Sequence, residues 1–309
     1  MIYLDLTIGL LLLGLSILYH FKNNRSSKKL WLDILLGCYY AATYFVWRYT
    51  SNNYHVLSFF HIWIMSAAVI IPFIVFYYVY DHPKLMVWAE IVFGCIGFFV
   101  VMSRFISWPL QGYRFIEALP LNLCNVIAFL TFFGLFLKKN SFIKILALSL
   151  GFIGGLSSLV MAFNEGLNTF WFIRNVDSYF LHFGLTAYAI FLFLTNKTKI
   201  DYRIFLKAIP ILTVYYVLMY FMDYLWDLNF LWIRPGTIAF LNTIEAALPS
   251  FSVGIFEVNL IYYLLCLVGA FGLTIGLLML LKKIQVKYQV WLEKLQKHHN
   301  KSEIKPKEP

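Results

Sequence analysis

The chain has 309 residues, of which 61% are hydrophobic, 20% aromatic and only 13% charged, and its formal net charge is +10. Soluble globular proteins have roughly 45 to 50% apolar and about 25% charged residues, so this composition excludes a soluble globule and predicts a polytopic membrane protein. Basic residues that a membrane sorts to one side account for the net charge, and we therefore expect no nucleic-acid partner.

Nine apolar runs along the chain are long enough to cross a bilayer as helices, which takes about 20 residues for roughly 30 Å of hydrocarbon. They cover residues 3–21, 30–49, 56–80, 85–108, 119–137, 142–163, 178–195, 204–225 and 256–282. The sequence thus predicts an all-α fold, a bundle of about nine transmembrane helices. A signal peptide is the alternative for residues 1–21, but the basic cluster follows this run instead of preceding it, which favours a retained helix.

The loops between these runs alternate in charge. With the N-terminus outside, 20 of the 25 Lys and Arg residues fall on the inner side of the membrane. The positive-inside rule therefore predicts an outer N-terminus, a cytoplasmic C-terminus and a multi-pass protein of the cell membrane. Residues 283–309 are predicted to form a basic amphipathic tail on the inner surface with a disordered end, and a simple extension of the ninth helix is the alternative.

The outer basic residues differ chemically from the inner ones, because all five are arginine whereas 18 of the 20 inner residues are lysine. A guanidinium group can bind a carboxylate or a phosphate through two nitrogens at once. Acidic residues are frequent in the same outer half. The arginines can therefore either form structural ion pairs or bind a lipid headgroup. The five are Arg48, Arg104, Arg114, Arg174 and Arg234.

Cys124 is the cysteine whose position indicates chemistry. It lies near the start of the fifth predicted helix, between Asn122 and Asn125, where the positive end of the helix dipole favours a thiolate. We consider it a candidate nucleophile with two candidate substrate-binding amides beside it, and a packing cysteine next to capping amides is the alternative. The other three cysteines lie in the middle of apolar helices and are predicted to pack as small hydrophobes.

Two histidines, His61 and His182, are predicted to lie at nearly the same depth as Cys124, roughly 6 to 8 Å below the outer boundary. A thiol beside an imidazole is the minimal apparatus for acyl transfer, because the base removes the proton and the thiolate attacks an ester carbonyl. Helix packing by each histidine is one alternative, and a bis-histidine haem or metal site is another, but no clustered ligand spacing supports it. We expect no metal and no cofactor, and we expect His20 to be solvated.

Four segments resemble the YwaF family of bacterial integral membrane proteins: LPLNLC at 119–124, the glycines at 151–155, YFLHFG at 179–184 and NFLWIRP at 229–235. This family is distantly related to a eukaryotic transmembrane fatty acyltransferase that builds ether phospholipids. The resemblance covers residues 56–282 and implies a seven-helix core, to which residues 1–55 add two transmembrane helices. It also implies that Cys124 accepts the acyl group. The family motif usually has histidine where this chain has Asn122, which leaves His182 as the best base.

The expected function is a lipid acyltransferase or acyl hydrolase that acts near the outer leaflet through a Cys/His pair. The expected partner is a membrane phospholipid or acyl lipid, and we predict no particular oligomeric state. The candidate catalytic residues are Cys124, His182 and His61, and the candidate substrate-binding residues are Asn122, Asn125, Arg104, Arg114, Arg174, Arg234 and Asn229. A non-enzymatic lipid-binding or transport protein is the first alternative, and an assembly subunit that docks a partner helix is the second.

Overall fold

A computed structural model describes residues 2–22, 27–50, 58–138, 141–161, 173–196, 198–228, 243–244, 246–253 and 256–303. The helices are α1 (Ile2–Lys22), α2 (Ser27–Thr50), α3 (Phe59–Val79), α4 (Pro83–Leu110), α5 (Leu123–Gly134), α6 (Phe142–Leu150), α7 (Leu156–Met161), α8 (Ile173–Thr195), α9 (Tyr202–Trp226) and α10 (Leu260–Glu303). A 3-10 helix, Phe115–Ala118, precedes α5, and a π-helical turn, Gly151–Gly155, joins α6 to α7. The predicted all-helical class is confirmed, apart from one small antiparallel hairpin of β1 (Phe251–Val253) and β2 (Phe256–Val258).

Within these ranges, six helical segments are long and apolar enough to cross a membrane. They are Leu30–Tyr49, Phe60–Val79, Pro83–Leu110, Ile173–Thr195, Tyr202–Trp226 and Ile261–Val290. Three further apolar helical segments are shorter, namely Leu10–Lys22, Leu123–Gly134 and Phe142–Gly155. Each of the nine segments overlaps one predicted run, so the sequence located the apolar helices but overestimated the length of some of them.

Three predicted helix starts differ from the observed ones by four or five residues. The fifth helix begins at Leu123 instead of 119, because Asn122 has an extended backbone (φ −74°, ψ 143°) and is the N-cap residue of the helix. Helix α8 begins at Ile173, five residues before the predicted start at 178. The last helix begins at Leu260 instead of 256, because the β-branched and aromatic stretch before it forms the hairpin. It then continues without a break to Glu303.

Helix α8 is the central element, and most of its side chains are buried. It packs against α3, α4, α5 and the π-helical turn. Glycines let the backbones touch: a Cβ atom on Gly184 would lie 2.9 Å from the backbone nitrogen of Gly97, and one on Gly155 would lie 2.5 Å from Oγ1 of Thr186. These close approaches fix α8 between α4 and the π-helical turn, and so position the histidine that α8 carries.

Helices α1 and α2 form an antiparallel hairpin that is joined to α3 through a buried carboxylate. Nδ1 of His20 lies 2.8 Å from Oδ2 of Asp33, and the hydroxyl of Tyr78 on α3 donates to Oδ1 of Asp33 at 3.2 Å. His20 is only 4% exposed and Asp33 is fully buried. The expectation that His20 is solvated is therefore wrong, because a carboxylate in an apolar interior needs polar partners and the histidine is one of them.

Polar contacts hold together the end of the helical core that lies opposite the 3-10 helix. Lys144 of α6 and Glu90 of α4 form a buried ion pair. The amide of Gln285 on α10 donates to the carbonyl oxygen of Thr198 at 2.9 Å and accepts from the N–H of Ile200 at 2.8 Å. Gln285 thus closes the connection between α8 and α9 and fixes α10 against the core.

Candidate functional site

A cavity of about 490 Å³ lies between α4, α5, α8, α9, α10 and the segment from α6 to α7. Six of the predicted site residues line it together: Cys124, His182, Asn122, Asn125, Arg104 and Arg174. His61 and Arg114 do not line this cavity, although both are described. Asn229 and Arg234 lie outside the described residues. The cavity is thus the place where the sequence-derived candidates converge.

Cys124 is the second residue of α5 and forms part of the cavity wall. Its Sγ atom lies 3.8 Å from Oγ of Ser158 on α7, within reach of a hydrogen bond to sulfur. The hydroxyl of Tyr215 on α9 donates to the carbonyl oxygen of Leu121, just before the helix begins. The thiol is therefore held in the first turn of α5, opposite a serine hydroxyl that the sequence did not single out.

The ring of His182 has one nitrogen engaged and one unpartnered. Nδ1 lies 2.7 Å from the carbonyl oxygen of Ser178, which can only accept a hydrogen bond, so Nδ1 carries the proton. Nε2 then holds the lone pair of the neutral ring, and this buried atom has no hydrogen-bond partner among the residues that the structure describes. Among the described residues no hydrogen bond joins this ring to Cys124, so the two groups share the wall of one cavity without touching.

His61 is placed differently from the prediction. It is the third residue of α3, is 1% exposed, and donates from Nε2 to the carbonyl oxygen of Leu159 at 2.7 Å. With His182, Ser158 and Ser178 it lines a void of only about 10 Å³ beside the main cavity. The geometry therefore gives His61 a contact between α3 and α7, while His182 faces both spaces.

Arg104 joins three helices at the charged end of the cavity, which we define by Arg104, Glu117 and Arg174. Its Nη1 donates to Oδ1 of Asn125 on α5 at 3.1 Å, and its Nε lies 3.8 Å from Oδ2 of Asp177 on α8. The indole of Trp108 donates to the same carboxylate oxygen at 2.7 Å. Arg104 is thus both an ion-pair partner and a part of the cavity wall.

Arg174 covers the charged end from α8. Its guanidinium carbon lies 4.8 Å from the ring centre of Trp108 and 4.9 Å from that of Tyr113, and its Nη1 lies 3.9 Å from Oε2 of Glu117. The side chains of Arg174 and Glu117 are 23% and 19% exposed, so the charged end reaches the surface. Arg114 pairs with Glu117 from outside, with a side chain that is 56% exposed.

The deep part of the wall was missed by the sequence reasoning. Helices α9 and α10 contribute Phe205, Leu212, Tyr215, Tyr216, Cys266, Leu267, Ala270, Phe271 and Thr274. The α10 residues recur at helical spacing and would have predicted one shared face, but not what that face contacts. For Ser158 the sequence holds no signal, because its direction depends on the π-helical turn before it.

The sequence profile of the TMEM164 family matches residues 50–275. This chain belongs to the TMEM164 family. The members of this family are transmembrane proteins. Together with the six long apolar helices of the described residues, the match identifies a multi-pass membrane protein. The matched range contains every residue that lines the cavity and leaves α1 outside.

No curated protein matches the chain, and no solved structure does. The cavity geometry therefore carries the functional argument for this TMEM164 family member. The relation to YwaF proteins and to the eukaryotic acyltransferase stays a prediction.

Proposed function

We propose that this protein is an integral membrane lipid acyltransferase or acyl hydrolase with Cys124 as its nucleophile and His182 as its general base. The observation that carries the proposal is the shared cavity, in which a first-turn thiol and an unpartnered imidazole nitrogen lie below two arginines. A buried nitrogen without a partner in the protein is costly, and a ligand or reacting group that completes it explains why it is kept.

In the proposed reaction Nε2 of His182 takes the proton of the Cys124 thiol, and the thiolate attacks the ester carbonyl carbon of an acyl lipid. The ester C–O bond then breaks, and the departing alkoxide takes the proton back from the imidazolium. The resulting thioester is attacked by a second alcohol or by water, which His182 deprotonates, and the thiol is restored. The hydroxyl of Ser158, 3.8 Å from the sulfur, is placed to donate to the thiolate as it forms.

The charged end would receive the phosphate of the substrate headgroup. Arg104 and Arg174 line the cavity there, and a guanidinium fork suits a phosphate better than an ammonium does. Asp177 and Glu117 hold these arginines in place through ion pairs, so structural pairing and headgroup binding are compatible at this site. Asn122 and Asn125 supply neutral donors beside the thiol, and Arg114 pairs with Glu117 at the outer side of the same end. Arg234 and Asn229, which lie outside the described residues, stay candidate headgroup-binding residues.

The proposal includes an orientation in the cell membrane: nine membrane segments, the N-terminus outside and the C-terminus in the cytoplasm. In this orientation the arginine-bearing end of the cavity faces outward and the lysine-rich loops face inward, as the positive-inside rule requires. In a background without native cysteines, Arg114→Cys should react with an impermeant thiol reagent on intact cells, and Lys138→Cys should react only after lysis. The reverse pattern, or equal labelling, would overturn this orientation.

A non-enzymatic lipid-binding or transport protein is the second candidate function. It is favoured by the absence of a hydrogen bond between Cys124 and His182 among the described residues, since a carrier needs the cavity but not the pair. Catalytic hydrogen bonds often form only when substrate is bound, so an enzyme is compatible with the same geometry.

Incubation of the purified protein with bilayer phospholipids separates the two functions. An acyltransferase or hydrolase should acquire a hydroxylamine-sensitive acyl group on Cys124, detectable by intact-protein mass spectrometry. Cys124→Ala should lose both this adduct and lipid turnover, whereas Cys266→Ala, which alters another thiol of the same cavity, should keep both. Normal turnover by Cys124→Ala would remove covalent catalysis and leave the carrier as the better account.

A further inference from the structure

The cavity changes character from one end to the other. Arg104, Glu117 and Arg174 lie at the charged end, and Cys124 and His182 lie farther in. The rest of the wall, contributed by α9, α10 and the segment from α6 to α7, is almost entirely apolar. Beyond Ser158, Tyr215, Tyr216 and Cys266, this wall consists of Leu150, Ile153, Phe205, Leu212, Leu267, Ala270, Phe271 and Thr274, whose hydroxyl is hydrogen-bonded within its own helix. Such a gradient matches a molecule with a charged head, an ester and a hydrocarbon chain.

Helix α10 presents one continuous face to this apolar part. Its lining residues run from Cys266 to Thr274, a distance of about 12 Å at 1.5 Å per residue. On α9 the lining runs from Tyr215, which is fixed at the level of Leu121, to Phe205, about 15 Å deeper along the helix. The apolar part is thus deep enough for a chain that extends from the thiol toward the opposite membrane surface.

Two aromatic rings close the deep end. Phe205 is 1% exposed, and its ring packs edge to face against that of Phe271, with centroids 5.9 Å apart and an interplanar angle of 79°. Beside them Thr274 turns its hydroxyl back to the carbonyl oxygen of Ala270, so no polar donor is offered there. Leu278, about one turn deeper on α10 than Thr274, is also fully buried.

We propose that the deep part of the cavity is an acyl-chain subsite, and that Phe271, packed on Phe205, sets the longest fatty acyl chain that fits. The inference rests on the proposed function for the nature of its occupant, a single acyl chain whose carbonyl lies beside Cys124. Each methylene that enters the apolar wall improves binding about fourfold, until the chain meets the rings. Beyond that length the chain must bend or displace Phe271, and binding falls.

The test measures the length of this space without requiring catalysis. A full-length protein with only Cys124, in which Cys38, Cys95 and Cys266 are alanine, is treated with butyl, octyl, dodecyl and hexadecyl methanethiosulfonate. The thiolate attacks the alkyl-bearing sulfur, forms a mixed disulfide and releases methanesulfinate, and intact-protein mass spectrometry follows the rate. The rate should rise along the series by severalfold and then drop at one chain length.

Phe271→Ala should move the drop to longer chains, and Phe271→Trp should move it to shorter ones. Leu273→Ala is the matched control, because this residue lies on the outer side of the same helix, 71% exposed, and should leave the profile unchanged. If Phe271→Ala fails to fold, Thr274→Leu fills the same end and should shorten the limit.

Identical profiles for the wild type and both Phe271 variants would overturn the subsite, and so would a Cys124 thiol that none of the alkyl reagents modifies. If the chain-length limit shifts with Phe271 but the protein forms no thioester with phospholipids, the proposed subsite stands and the proposed enzymatic function is rejected. A thioester on Cys124 with a profile that is insensitive to Phe271 would do the opposite.

Discussion

A 2.7 Å hydrogen bond joins Nδ1 of His182 to the carbonyl oxygen of Ser178, one turn earlier in α8. His61 makes the opposite choice and donates from Nε2 to the carbonyl oxygen of Leu159. The two rings thus donate to the protein backbone through different nitrogens. Because the unpartnered Nε2 belongs to His182 and His182 lines the main cavity, this residue and not His61 is the base in the proposed reaction.

Replacement of the two histidines should separate their roles. His182→Gln should reduce lipid turnover by about 10² to 10⁴, the range that general-base catalysis contributes, while the purified protein stays folded. His61→Gln should keep most of the turnover, since a glutamine amide can still donate toward the carbonyl oxygen of Leu159. Rates measured with the same phospholipid vesicles check this. If His61→Gln abolished turnover and His182→Gln retained it, the base would have to be His61 on α3.

Arg104 should tolerate lysine poorly. Its guanidinium reaches Asn125 and Asp177 with two different nitrogens, and a lysine has a single ammonium group that cannot replace both contacts. We expect Arg104→Lys to lower the free energy of unfolding by about 1.5 to 3 kcal/mol, as for the loss of a hydrogen bond to a charged group. Arg114→Lys, on an exposed side chain, should change it by less than about 0.5 kcal/mol. Thermal unfolding in detergent measures both, and equal effects would contradict the bridging role of Arg104.

Two glycines give a matched pair for the packing of α8. Gly155→Ala would place a Cβ atom 2.5 Å from Oγ1 of Thr186, and we expect a loss of about 1 to 3 kcal/mol from overpacking. Gly272→Ala meets no atom within 4 Å, and alanine is the better helix former, so this variant should be neutral or more stable by up to about 1 kcal/mol. The midpoints of thermal unfolding should therefore move apart. An unchanged midpoint for Gly155→Ala would show that α8 can shift away.

Replacing only one partner of the buried Glu90–Lys144 ion pair should lower the free energy of unfolding strongly, whereas replacing both should lower it little. Lys144→Met leaves the Glu90 carboxylate buried without its cation, and we expect a loss of about 3 to 5 kcal/mol. Adding Glu90→Leu should restore most of that loss, because neither charge then needs to be desolvated. Denaturation of the single and double variants gives the coupling energy. Additive losses in the double variant would mean that the two charges are stabilised independently.

The sequence could predict the depth of the site residues better than the way they face. Apolar runs place each helix in the membrane, so Cys124 and His182 could be assigned to one half of the bundle, and they do line one cavity. The rotation of a helix about its axis is encoded only when one face is polar. Helix α3 is apolar on nearly all sides, and the sequence therefore did not indicate that its His61 would contact the backbone of α7.

Buried polar residues explain the errors of boundary and exposure. Arg174, Asn175 and Asp177 made the start of α8 resemble a loop, yet all three lie in the helix, and Arg174 and Asp177 have ion-pair partners on other elements. His20 was expected to be solvated for the same reason, because nothing local in the sequence shows that Asp33 is its partner. In each case the polar group is satisfied by a residue from another helix, and only the tertiary structure supplies that partner.

The π-helical turn at Gly151–Gly155 determines in which direction the side chains of α7 point relative to those of α6. Leu150, Gly154 and Ser158 all line the cavity at intervals of four residues, whereas a regular α-helix of 3.6 residues per turn would rotate each step farther around the axis. The wider turn absorbs this rotation. Loss of one residue there would swing Ser158 away from the Cys124 thiol and the Leu159 carbonyl away from His61 in a single movement. One local underwinding of the backbone thus directs Ser158 toward Cys124 and the Leu159 carbonyl toward His61.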